Sequence, residues 1–550
     1  MITRVTNLES PKNYKTLPVA LAIAAFAAIT IGVLLFGYFQ QVSNLSANQR
    51  VDSSANSDTG LELPVGIEFP LVVLAPFKEL RSNIELPQLK NSTVYFEPGL
   101  GRILSSNQQK QVLDLLGVAS WVDFPETSLL ALNESKYSGD IFVIAHFANT
   151  NLALKSMKLS NLSLWRDDTY GLKVAGKLSD FAVDKQTTIA TALQIKEVDI
   201  NFTLAKVNRM FMGGEIIPAR AVDRLFLNSS NNYTFLFDRI KTEIQTADLA
   251  VALLENPISG NPKPCTGCTQ FVGDARNAKG FAEVGIDLLG FGNHAGDGGL
   301  AAVQETEVLL EQAGIGFTGV SSKDLNDAGK LVIREFAGKK LGFLSFDDVA
   351  WFYWASASKW GTNRFSAAGS KIGAVDKDRI KKVITAAKSE VDYLMVMASW
   401  GVEYTDTATK HQQELAHTLI DNGADLVIAS HPHWVQNFEI YQDKPIFYSL
   451  GNFIFDQTHT DPTRQGIWVN GYYYNGALKG FEIIPHLTCG YHQTNVNLAN
   501  KVINGEMTYA QVDAMSEKQG CIYWQPKSLE QSRPEYKQIW QRFIKGTKLS

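Results

Sequence analysis

The chain from Ser399 to Asp456 reads SWGVEYTDTATKHQQELAHTLIDNGADLVIASHPHWVQNFEIYQDKPIFYSLGNFIFD. The apolar run Tyr393 to Ala398 precedes it and predicts a strand that is buried on both faces. A helix is predicted from about Thr409 to Asn422. A second buried strand, Ala424 to Ala429, leads directly into Ser430 to His433. An open α/β sheet presents its site in this way, with reactive side chains just past the strand ends.

Three more strands are predicted to end in the same way, at Ile286 to Phe291, Asp248 to Leu254 and Arg209 to Met212. The five strand ends together bring carboxylates, imidazoles and an amide to one rim: Glu215, Glu255, Asn293, His294, Asp297, Glu403, His431 and His433. Such side chains suit divalent zinc, manganese or iron. The sequence therefore predicts an α/β fold with a metal site at this rim.

Length and composition set the broad class of the protein. A chain of 550 residues exceeds what one core usually serves, so two or three domains are expected. The content of 45% hydrophobic and 19% charged residues is that of an ordinary globular protein. A net charge of -5 gives no reason to expect nucleic acid as a partner.

The amino-terminal segment predicts a membrane anchor. Residues 17–39 carry no charge, and at ~1.5 Å per residue they can cross a ~30 Å hydrocarbon layer. Arg4, Lys12 and Lys15 precede this run, and the next basic residue is Arg50. The positive-inside bias therefore predicts a cytoplasmic tail at 1–16 and an extracytoplasmic body. A cleaved signal peptide is the alternative, although the apolar run exceeds the usual signal core.

The remaining chain is divided by composition and pattern. Residues 40–60 are rich in Ser, Asn and Asp and predict a flexible stalk. Residues 61–201 predict a small α/β domain without a chemical motif, for which a binding or spacer role is expected. Residues 202–487 form the domain with the predicted site, in which the aromatic segment 351–365 is expected to be a loop. Residues 488–550 form a polar C-terminal extension.

Four motifs resemble those of CapA, the poly-γ-glutamate capsule synthesis protein family. They are Asn293-His294 with Asp297-Gly298, Trp400-Gly401-Val402-Glu403-Tyr404, His431-Pro432-His433 followed by Gln436, and Tyr448-Ser449-Leu450-Gly451-Asn452-Phe453 with Phe455-Asp456. The resemblance covers roughly residues 202–487. It implies a layered α/β domain like that of calcineurin-like metallophosphoesterases. It also implies an anchored, extracytoplasmic protein that serves poly-γ-glutamate synthesis, transfer or anchoring, with the polyanionic polymer and a membrane synthetase complex as partners.

Three positions depart from the family pattern. Gly214-Glu215 stands where the family has Gly-Asp, which keeps a carboxylate on a longer arm. Leu253 replaces an asparagine and cannot bind a metal, and Ser399 replaces a histidine with a neutral hydroxyl. These losses bear on whether one or two ions are bound, because a two-metal site needs ligands for both.

The residues that remain predict specific roles. Glu215, Glu255, His431 and His433 are the expected metal ligands. His294 is expected to act as general acid with Asp297 orienting its ring. Asn293, Glu403, Asn452 and Asp456 are expected to contact substrate or to support the ligands. The structural alternatives are a hydrogen-bonded loop at His431 to His433 and a glycine-rich turn around His294.

The four cysteines allow two interpretations. Cys265 and Cys268 form half of a zinc motif, which Cys489 and Cys521 could complete. Outside the membrane, disulfides between Cys265 and Cys268 and between Cys489 and Cys521 are favoured instead.

Two functions are therefore open. The first is a metal-dependent hydrolase or transferase that acts on a phosphoester or an amide during envelope polymer assembly. The second is a non-catalytic polymer-binding or assembly subunit in which the metal site has been lost.

Overall fold

A computed structural model of the protein describes residues 66–126, 128–134, 137, 140–167, 170, 172–177, 181–182, 186–194, 203–224, 233–262, 270–366, 375–457, 459–488, 501–502, 505–515 and 525–549. The predicted anchor at 17–39, the stalk and all four cysteines lie outside these residues. Within the described ranges no helix combines the length and the apolar character that a membrane span requires.

The small domain is built on one sheet of six strands: β1 (Gly66–Pro76), β2 (Asn83–Ile84), β3 (Thr93–Phe96), β4 (Ile141–His146), β5 (Leu154–Leu159) and β6 (Lys173–Lys177). The order is β2-β5-β1-β4-β3, and β6 pairs with β1. The apolar runs Leu71 to Leu74 and Ile141 to Ala145 lie inside β1 and β4. The sheet and its helices enclose a hydrophobic core, which Tyr472 and Tyr474 of the neighbouring domain also enter.

The domain with the predicted site holds two larger sheets. The first contains β7 (Val207–Ile216), β8 (Leu249–Leu254), β11 (Leu288–Phe291), β12 (Gly316–Thr318), β21 (Asn452–Ile454), β22 (Gln465–Tyr474), β23 (Ala477–Thr488) and β24 (Pro526–Ser528). The second contains β14 (Val332–Phe336), β15 (Lys339–Asp347), β17 (Tyr393–Ser399), β18 (Leu426–Ser430), β19 (Phe438–Tyr441), β20 (Lys444–Phe447) and β25 (Lys548–Leu549). Two short pairs complete the strands: β9 (Ile258–Ser259) with β10 (Gly273–Asp274), and β13 (Val320–Ser321) with β16 (Gly361–Thr362).

The helices of the described chain are α1 (Leu86–Lys90), α2 (Leu100–Ile103), α3 (Ser106–Leu116), α4 (Gln186–Leu193), α5 (Ala221–Arg224), α6 (Lys241–Gln245), α7 (Arg276–Val284), α8 (Leu300–Gln312), α9 (Leu325–Ala328), α10 (Lys377–Glu390), α11 (Lys410–Asp421), α12 (Asp461–Arg464), α13 (Tyr509–Asp513) and α14 (Pro534–Ile544). The predicted helix Thr409 to Asn422 corresponds to α11 and its two capping residues. Thr409 caps α11 by accepting a hydrogen bond from the backbone N–H of Gln412, which satisfies one of the free donors of the first turn.

The two large sheets stack face to face because their strands are apolar on both faces. In β8, Val251 and Leu253 point into the layer between the sheets, where they join Met395 and Met397 of β17. The alternate residues of β8 pack instead with helices α7 and α8 on the outer side. Val396 and its alternate neighbours in β17 pack with α10 and α11. The period of two along a strand thus produces four layers: helices, sheet, sheet and helices.

The stacking brings the strand ends together. In the first sheet β7, β8 and β11 are parallel neighbours, and in the second sheet β15, β17 and β18 are parallel neighbours. The carboxyl ends of parallel strands lie at one edge of a sheet, so each sheet offers one row of loops. The two rows meet where Ser430 Oγ donates to Glu255 Oε1 at 2.7 Å.

The C-terminal residues contribute to this domain. Strand β24 pairs with β23, and β25 pairs with β19. Helix α14 places Ile539, Trp540 and Phe543 in the apolar layer between the two sheets. The polar composition of residues 488–550 hides this role, because only one face of α14 is apolar.

Candidate metal centre

The centre of the site is a contact between Glu215 and His433. Nδ1 of His433 lies 3.1 Å from Oε2 of Glu215 and 2.9 Å from Oδ1 of Asn452. Both partners are acceptors, so Nδ1 carries a proton that it donates to them. Burial lowers the pKa of His433, but the Glu215 carboxylate outweighs this effect and the pKa rises to about 9. Protonated His433 therefore balances the negative charge of the Glu215 carboxylate within the pair.

Glu215 lies inside a strand. The predicted strand ends at Met212, whereas β7 continues to Ile216 after a register shift between Met212 and Glu215. Glu215 pairs with Asn452 of β21 and is buried. Its second oxygen, Oε1, is buried and has no hydrogen-bond donor. A buried carboxylate oxygen without a partner is costly and indicates a ligand position.

A second buried carboxylate stands beside the first. Glu255 follows β8 directly and is fully buried. It accepts hydrogen bonds from Ser430 Oγ at 2.7 Å and from the backbone N–H of Asn293 at 3.1 Å. Burial, and then the charge of Glu215, raise its pKa well above the usual range. Gly292 is required here, because a β-carbon at this position would collide with the Glu255 carboxylate.

His431 is held as a neutral imidazole. Burial, followed by the charges of His433 and His294, lowers its pKa to about 3. Asn293 Nδ2 donates to Nδ1 of His431 at 3.3 Å, which leaves the proton on Nε2. His431 and His433 have φ angles of 93° and 59° around Pro432. Left-handed backbone at two residues other than glycine stores strain, which is typical of functional sites.

His294 and Asp297 form a second pair. Nδ1 of His294 lies 2.9 Å from Oδ2 of Asp297, and the His294 ring packs at a tilt of 48° against Phe271 with centroids 4.1 Å apart. Asp297 is buried and also accepts the backbone N–H of Phe271 at 2.6 Å. The side chain of His294 keeps 26% of its surface exposed. The predicted orientation of an accessible imidazole by a buried carboxylate is present.

Three predicted supporting residues occupy different places. Asn452 touches His433, and its Nδ2 donates to the Thr463 carbonyl at 2.9 Å, which fixes the amide. Glu403 is half exposed, with Oε1 3.8 Å from Nε2 of His433, beyond hydrogen-bonding distance. Asp456 forms an ion pair with Arg220 and accepts the backbone N–H of Ala221. Asp456 therefore stabilises the backbone at Arg220 and Ala221.

Sequence reasoning missed several residues at this site. Ser430 bonds Glu255, and its position directly before His431 at a strand end was the available signal. The Tyr353 ring packs against Gly296, which directly precedes Asp297. Asp347 is fully buried, its pKa is raised to about 6 chiefly by burial, and its charge acts on Glu255. Neither of these two carries a local motif, so only the folded chain reveals them.

The structure also shows where two residues that depart from the family pattern lie. Ser399 lies at the site, with Oγ 3.5 Å from Oδ1 of Asn293, so the imidazole expected there is replaced by a hydroxyl. Leu253 lies in the apolar layer between the sheets.

The predicted ligands are of types that bind a cation, but their placement is open. Among the described residues no group of three His, Cys, Asp or Glu side chains is placed to hold a metal ion. The predicted ligands form two hydrogen-bonded groups, Glu215 with His433, and Glu255 with Asn293 and His431. Two buried carboxylates, one with an unsatisfied oxygen, and a neutral imidazole are donors that suit a divalent ion.

Comparison with known proteins identifies the region. Residues 209–457 match the family described as "Bacterial capsule synthesis protein PGA_cap". The predicted resemblance to CapA is confirmed. We call residues 209–457 the CapA-like domain.

The similarity extends to individual proteins. The capsule biosynthesis protein CapA of Bacillus anthracis is 27% identical over 285 residues, which cover 50% of this chain and 66% of that protein. The PGA biosynthesis protein CapA of Bacillus subtilis (strain 168) is 26% identical over 278 residues, which cover 50% of this chain and 69% of that protein. The match with the CapA-like domain thus spans about two thirds of each relative.

A solved structure shares a distant likeness. A putative 5'-nucleotidase from Staphylococcus aureus aligns with a TM-score of 0.34 and 12% identity, covering 54% of this chain and 58% of that protein. A score this low supports no inference about fold or activity.

Proposed function

We propose that the CapA-like domain is a metal-dependent hydrolase or transferase of metallophosphoesterase-like architecture that acts in the assembly of a capsule or envelope polymer, with poly-γ-glutamate as the leading substrate. The unsatisfied, buried Oε1 of Glu215 beside His433 carries this proposal. A purely structural cluster would have satisfied this oxygen. The names of the two CapA relatives, which refer to capsule and PGA biosynthesis, support the polymer class.

Glu215, Glu255, His431 and His433 would hold the ion. A bound zinc, manganese or iron ion supplies Lewis acidity, which polarises a phosphoryl or acyl oxygen and acidifies a water molecule. The proton on His433 is exchangeable for this purpose, since a cation can take over the role of balancing Glu215. Metal binding through Nε2 of His431 would require the ring proton to move to Nδ1, which lies 3.3 Å from the Asn293 amide.

His294 is the proton donor of the proposal. Asp297 holds its Nδ1, so Nε2 is the nitrogen that can exchange a proton with a leaving group. Phe271 contacts both residues, because its ring packs against His294 and its backbone N–H donates to Asp297. A fixed ring beside the metal centre suits general acid catalysis at a phosphoester or an amide.

Metal content of the purified full-length chain tests the proposal. We expect near-stoichiometric zinc, manganese or iron in the wild type and its loss in His431→Ala/His433→Ala. The matched control is His411→Ala/His417→Ala, which removes two histidines of α11 that bond Asp348 and Glu439. Absence of metal from the wild type after loading with each ion would contradict the enzyme proposal.

The second candidate is a non-catalytic polymer-binding or assembly subunit. Ser399 favours it, because a neutral hydroxyl lies at the site where the family has an imidazole. This candidate predicts polymer binding by a protein that contains no metal and whose affinity is unchanged in His431→Ala/His433→Ala. Metal-dependent turnover would exclude it.

The location of the protein is part of the proposal. The uncharged run 17–39 and the basic residues before it support a single-pass anchor with the CapA-like domain outside the membrane. Digestion of spheroplasts with an added protease should degrade the CapA-like domain, while a cytoplasmic marker stays intact. Protection of both would contradict this orientation.

A further inference from the structure

Exposed apolar side chains cluster at two loops of the CapA-like domain. Trp351 and Phe352, which follow β15, are 53% and 54% exposed. Val402 and Tyr404, which follow β17, are 55% and 37% exposed. Strands β15 and β17 are parallel neighbours, so both loops rise from the edge of the sheet that carries the metal centre. Large apolar groups exposed side by side indicate a binding surface.

The first loop is tied to the proton donor. The Phe352 ring packs on Tyr353 with centroids 4.6 Å apart, and Trp351 packs on Phe352 at 5.8 Å. The Tyr353 ring lies so close to Gly296 that a β-carbon there would collide with it. Gly296 directly precedes Asp297, the residue that orients His294. Two exposed rings are therefore joined to His294 through a fixed chain of contacts.

The second loop is tied to the proposed metal ligands. The Tyr404 ring stacks on His433 with centroids 5.8 Å apart, and it also approaches His459 at 5.8 Å. The backbone of Tyr404 has a φ angle of 62°, and its N–H donates to the Pro432 carbonyl at 2.9 Å. This backbone bond connects the loop to the residue between the two histidines. The exposed aromatic groups thus continue directly from the candidate site on both loops.

One exposed cation belongs to the same surface. Nζ of Lys359 donates to the Phe352 carbonyl at 2.9 Å and is held beside the exposed rings. A γ-linked glutamyl unit presents two backbone methylenes and one carboxylate. Methylenes pack well on aromatic faces, and a carboxylate pairs with an ammonium group. The surface therefore matches both parts of this repeating unit.

We propose that Trp351, Phe352, Tyr404 and Lys359 form a subsite that binds the γ-glutamyl units next to the unit held at the metal centre. This inference rests on the proposed function and specifies how the polymer is recognised. The rings contact the methylenes of the chain, and Lys359 pairs with one of its carboxylates. The subsite selects long chains over short ones, because a single unit at the metal centre does not reach it.

Binding of two ligands, a γ-glutamyl decamer and a single glutamate, tests the subsite in the full-length chain. Trp351→Ala/Phe352→Ala should weaken decamer binding about tenfold and leave glutamate binding within about twofold of the wild type. Lys359→Gln should weaken decamer binding at low salt and reduce its salt dependence. The matched control is Val308→Ala/Ile333→Ala, which removes apolar side chains with 49% and 37% exposure from α8 and β14.

Each outcome has a separate meaning. Equal decamer affinity in the wild type and in Trp351→Ala/Phe352→Ala overturns the subsite and leaves the proposed function intact. Failure of the wild type to bind either ligand overturns the polymer assignment and the subsite together. Binding of a neutral chito-oligosaccharide in place of the decamer overturns the assigned occupant. Circular dichroism confirms that each variant is folded.

Discussion

The small domain and the CapA-like domain each group a glutamate, a histidine and an asparagine near strand ends, but the hydrogen bonding differs. In the small domain Glu97 follows β3, and His146 ends the parallel strand β4. Glu97 Oε2 accepts the backbone N–H of His146 at 2.8 Å, and its Oε1 accepts from Asn149 Nδ2. Nδ1 of His146 accepts the backbone N–H of Ala148 at 3.1 Å.

The candidate metal centre leaves one of its acceptors without a hydrogen-bond donor. Glu215 Oε1 is buried without a donor, and a second carboxylate, Glu255, lies close enough for the charge of Glu215 to raise its pKa. In the small domain each oxygen of Glu97 has a donor within the domain. The residue types alone therefore do not separate a structural cluster from a ligand site. The two clusters differ in whether each buried acceptor has a hydrogen-bond donor.

The largest expected effect is on turnover after Glu215→Gln. Loss of one charged ligand should remove several kcal/mol of transition-state stabilisation, which lowers kcat/KM about 10³-fold or more and removes the metal. Glu97→Gln should leave both quantities unchanged. Metal content and kcat/KM should be measured for both variants. A fall of both quantities in Glu97→Gln as well as in Glu215→Gln would contradict the distinction between the two clusters.

His294→Ala should lower kcat about 10²-fold, because the general acid is lost. Metal content should remain at the wild-type value, since His294 bonds Asp297 and none of the proposed ligands. Pre-steady-state kinetics on a substrate with an activated leaving group provide the check. Such a substrate needs no proton, so an equally large loss with it would exclude the role of His294 as acid.

Stability should depend on both clusters. Glu97→Ala leaves the backbone N–H of His146 without its acceptor, while the Asn149 amide keeps the Leu193 carbonyl, which should lower the free energy of unfolding by about 1–3 kcal/mol. Glu215→Ala in metal-free protein should lower it by about 3–5 kcal/mol, because the buried, protonated His433 loses its ion-pair partner. Urea titrations at pH 5 measure both values. A loss below about 1 kcal/mol for Glu215→Ala would contradict the ion pair with His433.

Protonation of Glu97 should make the free energy of unfolding depend on pH. Burial raises its pKa to about 7, against the hydrogen bonds from His146 and Asn149. The folded state therefore keeps a proton that the unfolded state releases from about pH 4.5, so stability falls as the pH rises from about 4.5 to about 7. Wild type should lose about 2 kcal/mol more than Glu97→Gln between pH 5 and pH 7. Parallel pH profiles of the two proteins would contradict this assignment.

Local elements of the fold were predictable from the sequence. Strands β17 and β18 and helix α11 agree with their predictions within two residues, because apolar runs and capping residues act over short distances. The motif residues of the CapA-like domain were also identifiable, since they follow strand ends directly. The extent of β7 was not predictable from the sequence, because its continuation through Gly213 and Gly214 depends on pairing with β8 and β21.

The sequence by itself determined which strands are buried on both faces, where the main helices begin and end, and which reactive side chains follow the strands. Tertiary structure decided which of these side chains meet. Glu215 and His433 are 218 positions apart, and Glu255 and Ser430 are 175 apart. Their contacts exist because two sheets stack with their carboxyl edges together. That arrangement depends on packing between distant segments, which no local period encodes, and it also decides which carboxylate oxygen is left for a ligand.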